Sequence, residues 1–218
     1  MLTTTITKIE QLGAGDFSAP DRRNKFSQKA WERLSQLATQ DPELGKNLPV
    51  KRIYEEVGIT DAIWALETIE TTQGHDRELA LFGLGLCRHY VEPLITCPTN
   101  VEAIAAAESY ARGTGSRDAV AKALNAAEQA TKKHKQLLES IKDRQHHDQL
   151  VDQISCQESA QVICWIVERA NFETPNLADP TKTGRTIAGY ATGVLRKYAL
   201  TPEDQAPKLL LQALCQSA

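Results

Sequence analysis

Apolar residues along this chain recur three and four positions apart, and the strict alternation that a half-buried strand needs is nearly absent. Phe26, Ala30, Trp31, Leu34 and Leu37 fall on one face of a first amphipathic helix. It ends near Asp41-Pro42, because proline disfavours helical geometry in the residue before it. Val50, Ile53, Tyr54 and Val57 mark a second helix with Gly58 as its stop. Thr60-Asp61 reads as the N-terminal signal of a third, with Ile63, Leu66 and Ile69 on one side. The stretch from Asp76 to Leu94 is apolar over most of its circumference at its start, which predicts a central helix. Pro98 breaks the chain again, and Thr99 with Glu102 fits a capping box for the next helix, which stops at Gly113. Ser116 restarts a long alanine-rich helix reaching the 140s, and Asp148 opens another that runs through Trp165 to Ala170.

After the loop "NFETPNLADPTKTG", the segments "RTIAGYATGVLRKY" and "TPEDQAPKLLLQAL" supply two last helices, the second capped by Thr201 with Pro202 in its first turn. The pattern therefore predicts an all-α chain, a compact bundle or array of about nine helices with no β-sheet. Residues 1–218 read as a single helical domain. The 171–184 loop is the one place where it could divide, into a main helical body over 1–170 and C-terminal helices over 185–218.

Composition narrows the classes. At 218 residues, 41% hydrophobic and 24% charged, the chain is that of an ordinary globular domain. A net charge of -3 gives no long-range reason to expect a nucleic-acid partner. No apolar stretch approaches the roughly 18 residues needed to cross a bilayer, so no membrane partner is expected. The start "MLTTTITKIEQLGAG" lacks a basic region followed by an apolar run, and the five cysteines are an odd number. Reduced thiols in the cytoplasm are thus the expectation.

Candidate chemistry is sparse. The histidines and cysteines form no Cys-x-x-Cys pair and no His-Glu-x-x-His, so no metal is expected. "GAG" at 13–15 and "GTG" at 113–115 lack the Gly-Lys-Ser/Thr of a phosphate loop, and there is no Gly-x-Ser-x-Gly. No catalytic residue and no cofactor follow from these patterns. The basic run "KKHKQLLESIKDRQHH" is interleaved with acids, as on a solvated helix face. What stands out is Asp76-Arg77 at the mouth of the most apolar helix, with Arg88 three turns further along the face of Arg77. Asp76 suits a helix cap. Arg77 needs a carboxylate or carbonyl from another helix, because an unpaired guanidinium beside a core is costly.

Several of these segments, in this order, resemble a known family. Gly58-x-x-Asp61-Ala62-x-Trp64-Ala65-Leu66 is followed by His75-Asp76-Arg77-Glu78 entering an apolar stretch. Then come Cys87, the exit Glu92-Pro93-Leu94, and Glu108-x-Tyr110-Ala111-Arg112-Gly113. Over about residues 58 to 130 the chain resembles the immunity protein 5 family, bacterial proteins found near polymorphic toxin genes. The resemblance implies an all-α, non-catalytic, cytoplasmic protein that binds and neutralises a cognate protein toxin, with Asp76 and Arg77 as its acidic-residue–Arg motif. The lysine- and histidine-rich region after Ala130, the first 45 residues and the C-terminal part depart from it. Two other readings stay open: a helical scaffolding or interaction module, and an enzyme or small-ligand binder with an interhelical pocket near Asp76, Arg77, Arg88 and His89. As partner anchors, Trp31, Tyr54 and Tyr110 qualify only if they are exposed.

Overall fold

A computed structural model describes residues 2–12, 26–69, 74–170, 172, 179, 181–198 and 204–217. Eleven α-helices make up nearly all of this: α1 Ile6–Gln11, α2 Gln28–Gln40, α3 Pro42–Lys46, α4 Val50–Val57, α5 Ile59–Ala65, α6 Asp76–Leu86, α7 Pro98–Ala111, α8 Arg117–Leu138, α9 Arg144–Arg169, α10 Lys182–Tyr198 and α11 Ala206–Ser217. The fold is all-α. Among the described residues, extended pairing is confined to two residues on each side, Thr3–Thr4 (β1) against Leu48–Pro49 (β2), antiparallel. The helices beyond the nine expected are the short α1 and α3. Each is too brief to carry a hydrophobic period, and each starts on a side-chain cap, Thr5 or Asp41.

Some helix starts differ from the expected ones. Helix α5 begins at Ile59, not after Thr60-Asp61. Asp61 lies within the first turn, where its Oδ1 accepts the Ser27 N–H at 3.1 Å and so ties α5 to the start of α2. Cys97 replaces Thr99 at the N-cap of α7, because Pro98 with its fixed φ takes the first helical position. Asp143, not Asp148, opens α9, accepting the His146 N–H at 3.0 Å. Thr201 and Pro202 lie outside the described residues, as does most of the 171–184 loop; α11 begins at Ala206, whose N–H bonds Asp204 at 3.0 Å. The long helix expected from Asp76 to Leu94 is α6 plus a π-helical turn, Cys87–Val91, and a 3-10 turn, Glu92–Leu94. Pro93 has no N–H and its ring would strike the carbonyl of residue 89, so the α-helix cannot run through it.

Helix α6 is central, as its apolar circumference predicted. Leu79, Leu84 and Leu86 are fully buried, with α7, α9, α10 and α11 around it. Glycine permits the close approach: a Cβ on Gly83 would meet Ile163 Cδ1 at 2.8 Å. Gly184 of α10 packs more tightly still, where a Cβ would fall 2.0 Å from the Leu66 carbonyl oxygen. One core runs from Leu2 to Leu214. Helices α10 and α11 contribute Ile187, Ala191, Val194, Leu211 and Leu214 to it.

Helices α7, α8 and α9 pack pairwise, and a buried polar ladder crosses their seam. Gln161 Nε2 donates to Asn100 Oδ1 (2.8 Å) and to Thr131 Oγ1 (2.7 Å), and Thr131 Oγ1 donates to Gln157 Oε1 (2.9 Å). Gln157 Nε2 meets His134 Nδ1 at 2.9 Å.

Candidate functional site

The three motif residues lie along α6 and its continuation, and each is bonded within the fold. Asp76 is the first residue of α6, following His75 at the cap position. Its backbone is already helical, so its side chain does not cap. The carboxylate is buried and accepts from the Thr183 hydroxyl of α10, with Oδ1 left unpartnered. Burial pushes the Asp76 carboxyl above its ordinary value, against the pull of Thr183. His75 beside it is pushed the other way, downward, mainly by burial.

Arg77 finds carbonyls. Its Nη1 donates to Tyr110 O at 3.0 Å and to Ala111 O at 3.2 Å, the last carbonyls of α7, and its guanidinium carbon lies 4.8 Å from the centre of the Phe172 ring. A cation at a helix C-terminus meets both the free carbonyls and the negative end of the dipole. Here α7 ends because Gly113 takes a positive φ of 77°, and its N–H also bonds Tyr110 O. Arg88, in the π-helical turn, uses Nη1 on both oxygens of Glu92 (2.8 and 2.6 Å) and Nη2 on Glu108 Oε2 (2.8 Å). The hydrogen bond that Arg88 donates to Glu108, together with both carboxylates' charge, holds the guanidinium above its ordinary pKa. Arg77 and Arg88 thus both bind α6 to α7, one at that helix's end and the other on its side. His89 is exposed, 3.9 Å from the Asp204 carboxylate.

A cleft of about 770 Å³ lies elsewhere. It opens between α2, α4 and α11 and is lined by Lys29, Arg33, Tyr54, Glu56 and Lys208 among others. Glu56 there is held by two guanidinium groups, Arg33 at 2.6 Å and Arg52 at 2.6 Å. Among the described residues, no three His, Cys, Asp or Glu side chains gather as metal ligands would. None of the described helices is long and apolar enough to cross a membrane.

The expected anchors are not free. Trp31, Tyr54 and Tyr110 are half-buried and pack on the core, and the Tyr110 ring lies tilted by 48° against Phe172, centres 5.0 Å apart. Trp165 is the tryptophan that stands out, 43% exposed on the outward face of α9, with Val162 one turn before it at 49%. Arg169 completes the row, its guanidinium 4.2 Å from the Trp165 ring centre. Sequence reasoning passed over this face. Its signal was present: Ala160, Ile163, Cys164 and Val167 already fill the core side of α9, so Val162 and Trp165 are surplus apolar residues on the other side.

Comparison of the chain with known protein families, with curated proteins and with solved structures finds no match.

Proposed function

We propose that this chain is a non-catalytic binding protein of the immunity type, which neutralises a cognate bacterial protein toxin by occluding it. The observation that carries the reading is the row Val162, Trp165 and Arg169 on α9, which the fold leaves uncovered. Tryptophan and arginine are the residues that most often dominate binding energy at protein interfaces, and an aromatic ring paired with a guanidinium presents a large, stiff contact. The segment order over residues 58 to 130 supplies the choice of partner. The engagement of Asp76, Arg77 and Arg88 in bonds within the chain supports a scaffolding role for the motif, with recognition carried by another surface.

The test is expression of the chain beside the product of its neighbouring gene, followed by purification and a toxicity assay. A stoichiometric complex, with toxicity suppressed, is expected. Trp165→Ala should weaken that complex by about tenfold or more while leaving the melting temperature unchanged, since truncating a hot-spot residue costs about 2 kcal/mol. Failure of the two proteins to associate, or full affinity of the Trp165→Ala variant, would overturn the reading. The cleft lined by Lys29, Arg33 and Lys208 favours a second reading, a binder of a small organic anion. That reading predicts a dissociable anion in the purified protein and no toxin complex.

A further inference from the structure

A furrow runs between α9 and α10. At one end the Lys197 ammonium of α10 donates to the Ser155 hydroxyl of α9, and the Ser159 and Tyr198 hydroxyls meet at 3.1 Å. Further along, Ile163 of α9 and Ile187 of α10 come together over Gly83, so the two helices are antiparallel. The space between them, about 250 Å³, is lined by Val162, Gly189, Tyr190, Gly193 and Val194, with Lys197 and Tyr198 closing the end. On the α10 side its wall is bare backbone, since nothing lies within 4 Å of a Cβ built on Gly189 or Gly193. Exposed Val162 forms part of the opposite wall, and exposed Trp165 stands one turn further along the same helix.

The charge around this apolar middle is one-sided. The outward row of α10 reads Lys182, Arg185, Gly189, Gly193, Arg196 and Lys197, with cations at both ends and glycine between, and α10 contains no Asp or Glu. Arg169 of α9 adds a cation at the Lys182 end, over the Trp165 ring. The acids of α9 beside this face turn away from it: Glu158 pairs with Lys135 of α8 at 2.5 Å, and Glu168 with Arg117 at 2.8 Å. Asp152 and Asp179 remain, and Asp179 pairs with Arg185 at 3.3 Å. Lys182 and Arg196 have no ion pair among the described residues. In a chain of net charge -3, the furrow is thus a local surplus of positive charge on an acidic molecule.

We propose that the toxin docks in this furrow through an acidic amphipathic α-helix of its own. The inference rests on the toxin-binding reading of the α9 face and adds to it the element of the partner that is recognised. An amphipathic helix laid in an apolar groove is a recurrent mode of recognition. About fifteen helical residues cover the roughly 22 Å from the level of Lys182 to that of Lys197. Small and apolar side chains in the middle of that helix rest on Gly189, Gly193 and Val162, because a missing Cβ lets a second backbone come close. Carboxylates near its two ends meet Arg169 and Lys182 on one side and Arg196 and Lys197 on the other. A furrow one helix wide suits a rod; a flat layer of anionic headgroups would touch the charged ends and leave the floor unfilled.

The experiment measures binding of the full-length chain to the purified product of its neighbouring gene, at low and high salt, with a thermal melt of every variant. Gly193→Gln fills the furrow from an open helix face, so it should melt no lower than the wild type and yet bind at least about tenfold more weakly. Lys182→Glu combined with Arg196→Glu should slow association by about tenfold and flatten its dependence on salt. Hydrogen exchange on the complex should then protect one helical segment of the partner that is rich in Asp and Glu. Absence of any association overturns this proposal and the toxin-binding reading together. Binding that Trp165→Ala weakens but that both furrow variants leave intact sinks this proposal alone, as does protection of a partner segment that is not acidic or not helical. Two further outcomes also overturn it by giving the furrow another occupant: capture by phosphatidylserine vesicles in place of the toxin, or a dimer of this chain that Gly193→Gln dissociates.

Discussion

Removal of the Arg77 side chain should be felt as a loss of stability. In the folded chain its Nη1 bonds two carbonyls at the end of α7, and its guanidinium covers the Phe172 ring. Tyr110 O retains a second donor in the Gly113 N–H, so the Ala111 carbonyl is the group that Arg77→Ala exposes to loss. A hydrogen bond to a charged donor contributes about 1.5–3 kcal/mol and a partly exposed cation–π contact about 0.5–1 kcal/mol. The variant should therefore lose about 2–4 kcal/mol. For a domain of this length each kcal/mol lowers the melting temperature by roughly 2–4 °C, so a fall of about 4–16 °C is expected. Thermal melts followed by circular dichroism at the helical band, repeated in urea, give both numbers. Arg77→Lys should fall between, because one ammonium can reach a carbonyl but cannot lie flat on the ring. A melting temperature within about 2 °C of the wild type would refute this account of Arg77. So would unchanged stability with loss of partner binding, which would move the residue from the scaffold to the interface.

Three glycines of α10 should separate sharply when changed to alanine. Gly184→Ala drives a methyl into the Leu66 carbonyl and should cost about 3 kcal/mol or more, seen as a melt at much lower temperature or as insoluble protein. At Gly189 and Gly193 nothing lies within 4 Å of the added carbon, so each change should stabilise by up to about 1 kcal/mol through helix propensity alone. The Asp76 carboxyl holds its proton more tightly folded than unfolded. The native state therefore binds more protons over the interval above the ordinary carboxylate value of 3.8, and stability falls as pH rises through it. Asp76→Asn should accordingly melt higher than the wild type at neutral pH, and the advantage should vanish once the pH falls below that ordinary value. A variant less stable at neutral pH would show that the negative charge at the start of α6 outweighs its burial.

Much of the fold was legible because long amphipathic helices declare themselves by period. The central place of α6 followed from the leucines and glycines after its charged first turn, which leave no polar face from Leu79 to Leu86. Short elements were not legible: α1 and α3 rest on single caps and on tertiary contacts that no period encodes. Caps were misplaced where two candidates stood within a few residues. Pro98 moved the start of α7 to Cys97, which "CPTN" before an alanine-rich run could have signalled. The Asp76, Arg77 and Arg88 cluster was visible as a set of charges beside apolar residues. The partners Thr183, Tyr110, Ala111 and Glu108 were not, since contacts across helices leave no mark in local spacing.

The ladder between α7, α8 and α9 acts as an alignment key. Alanine-rich helices such as α7 and α8 present nearly uniform surfaces, and uniform surfaces can slide by a turn with little loss of apolar contact. A one-turn shift of α8 would set Ala127 or Lys135 where Thr131 now meets Gln157, stranding two buried amides at about 1–3 kcal/mol each. Asn100, Thr131, His134, Gln157 and Gln161 thus add little net stability to the aligned state while raising every misaligned one. On that account, replacing the ladder with leucine and alanine would leave a helical protein of similar stability that no longer chooses a single arrangement of α7, α8 and α9.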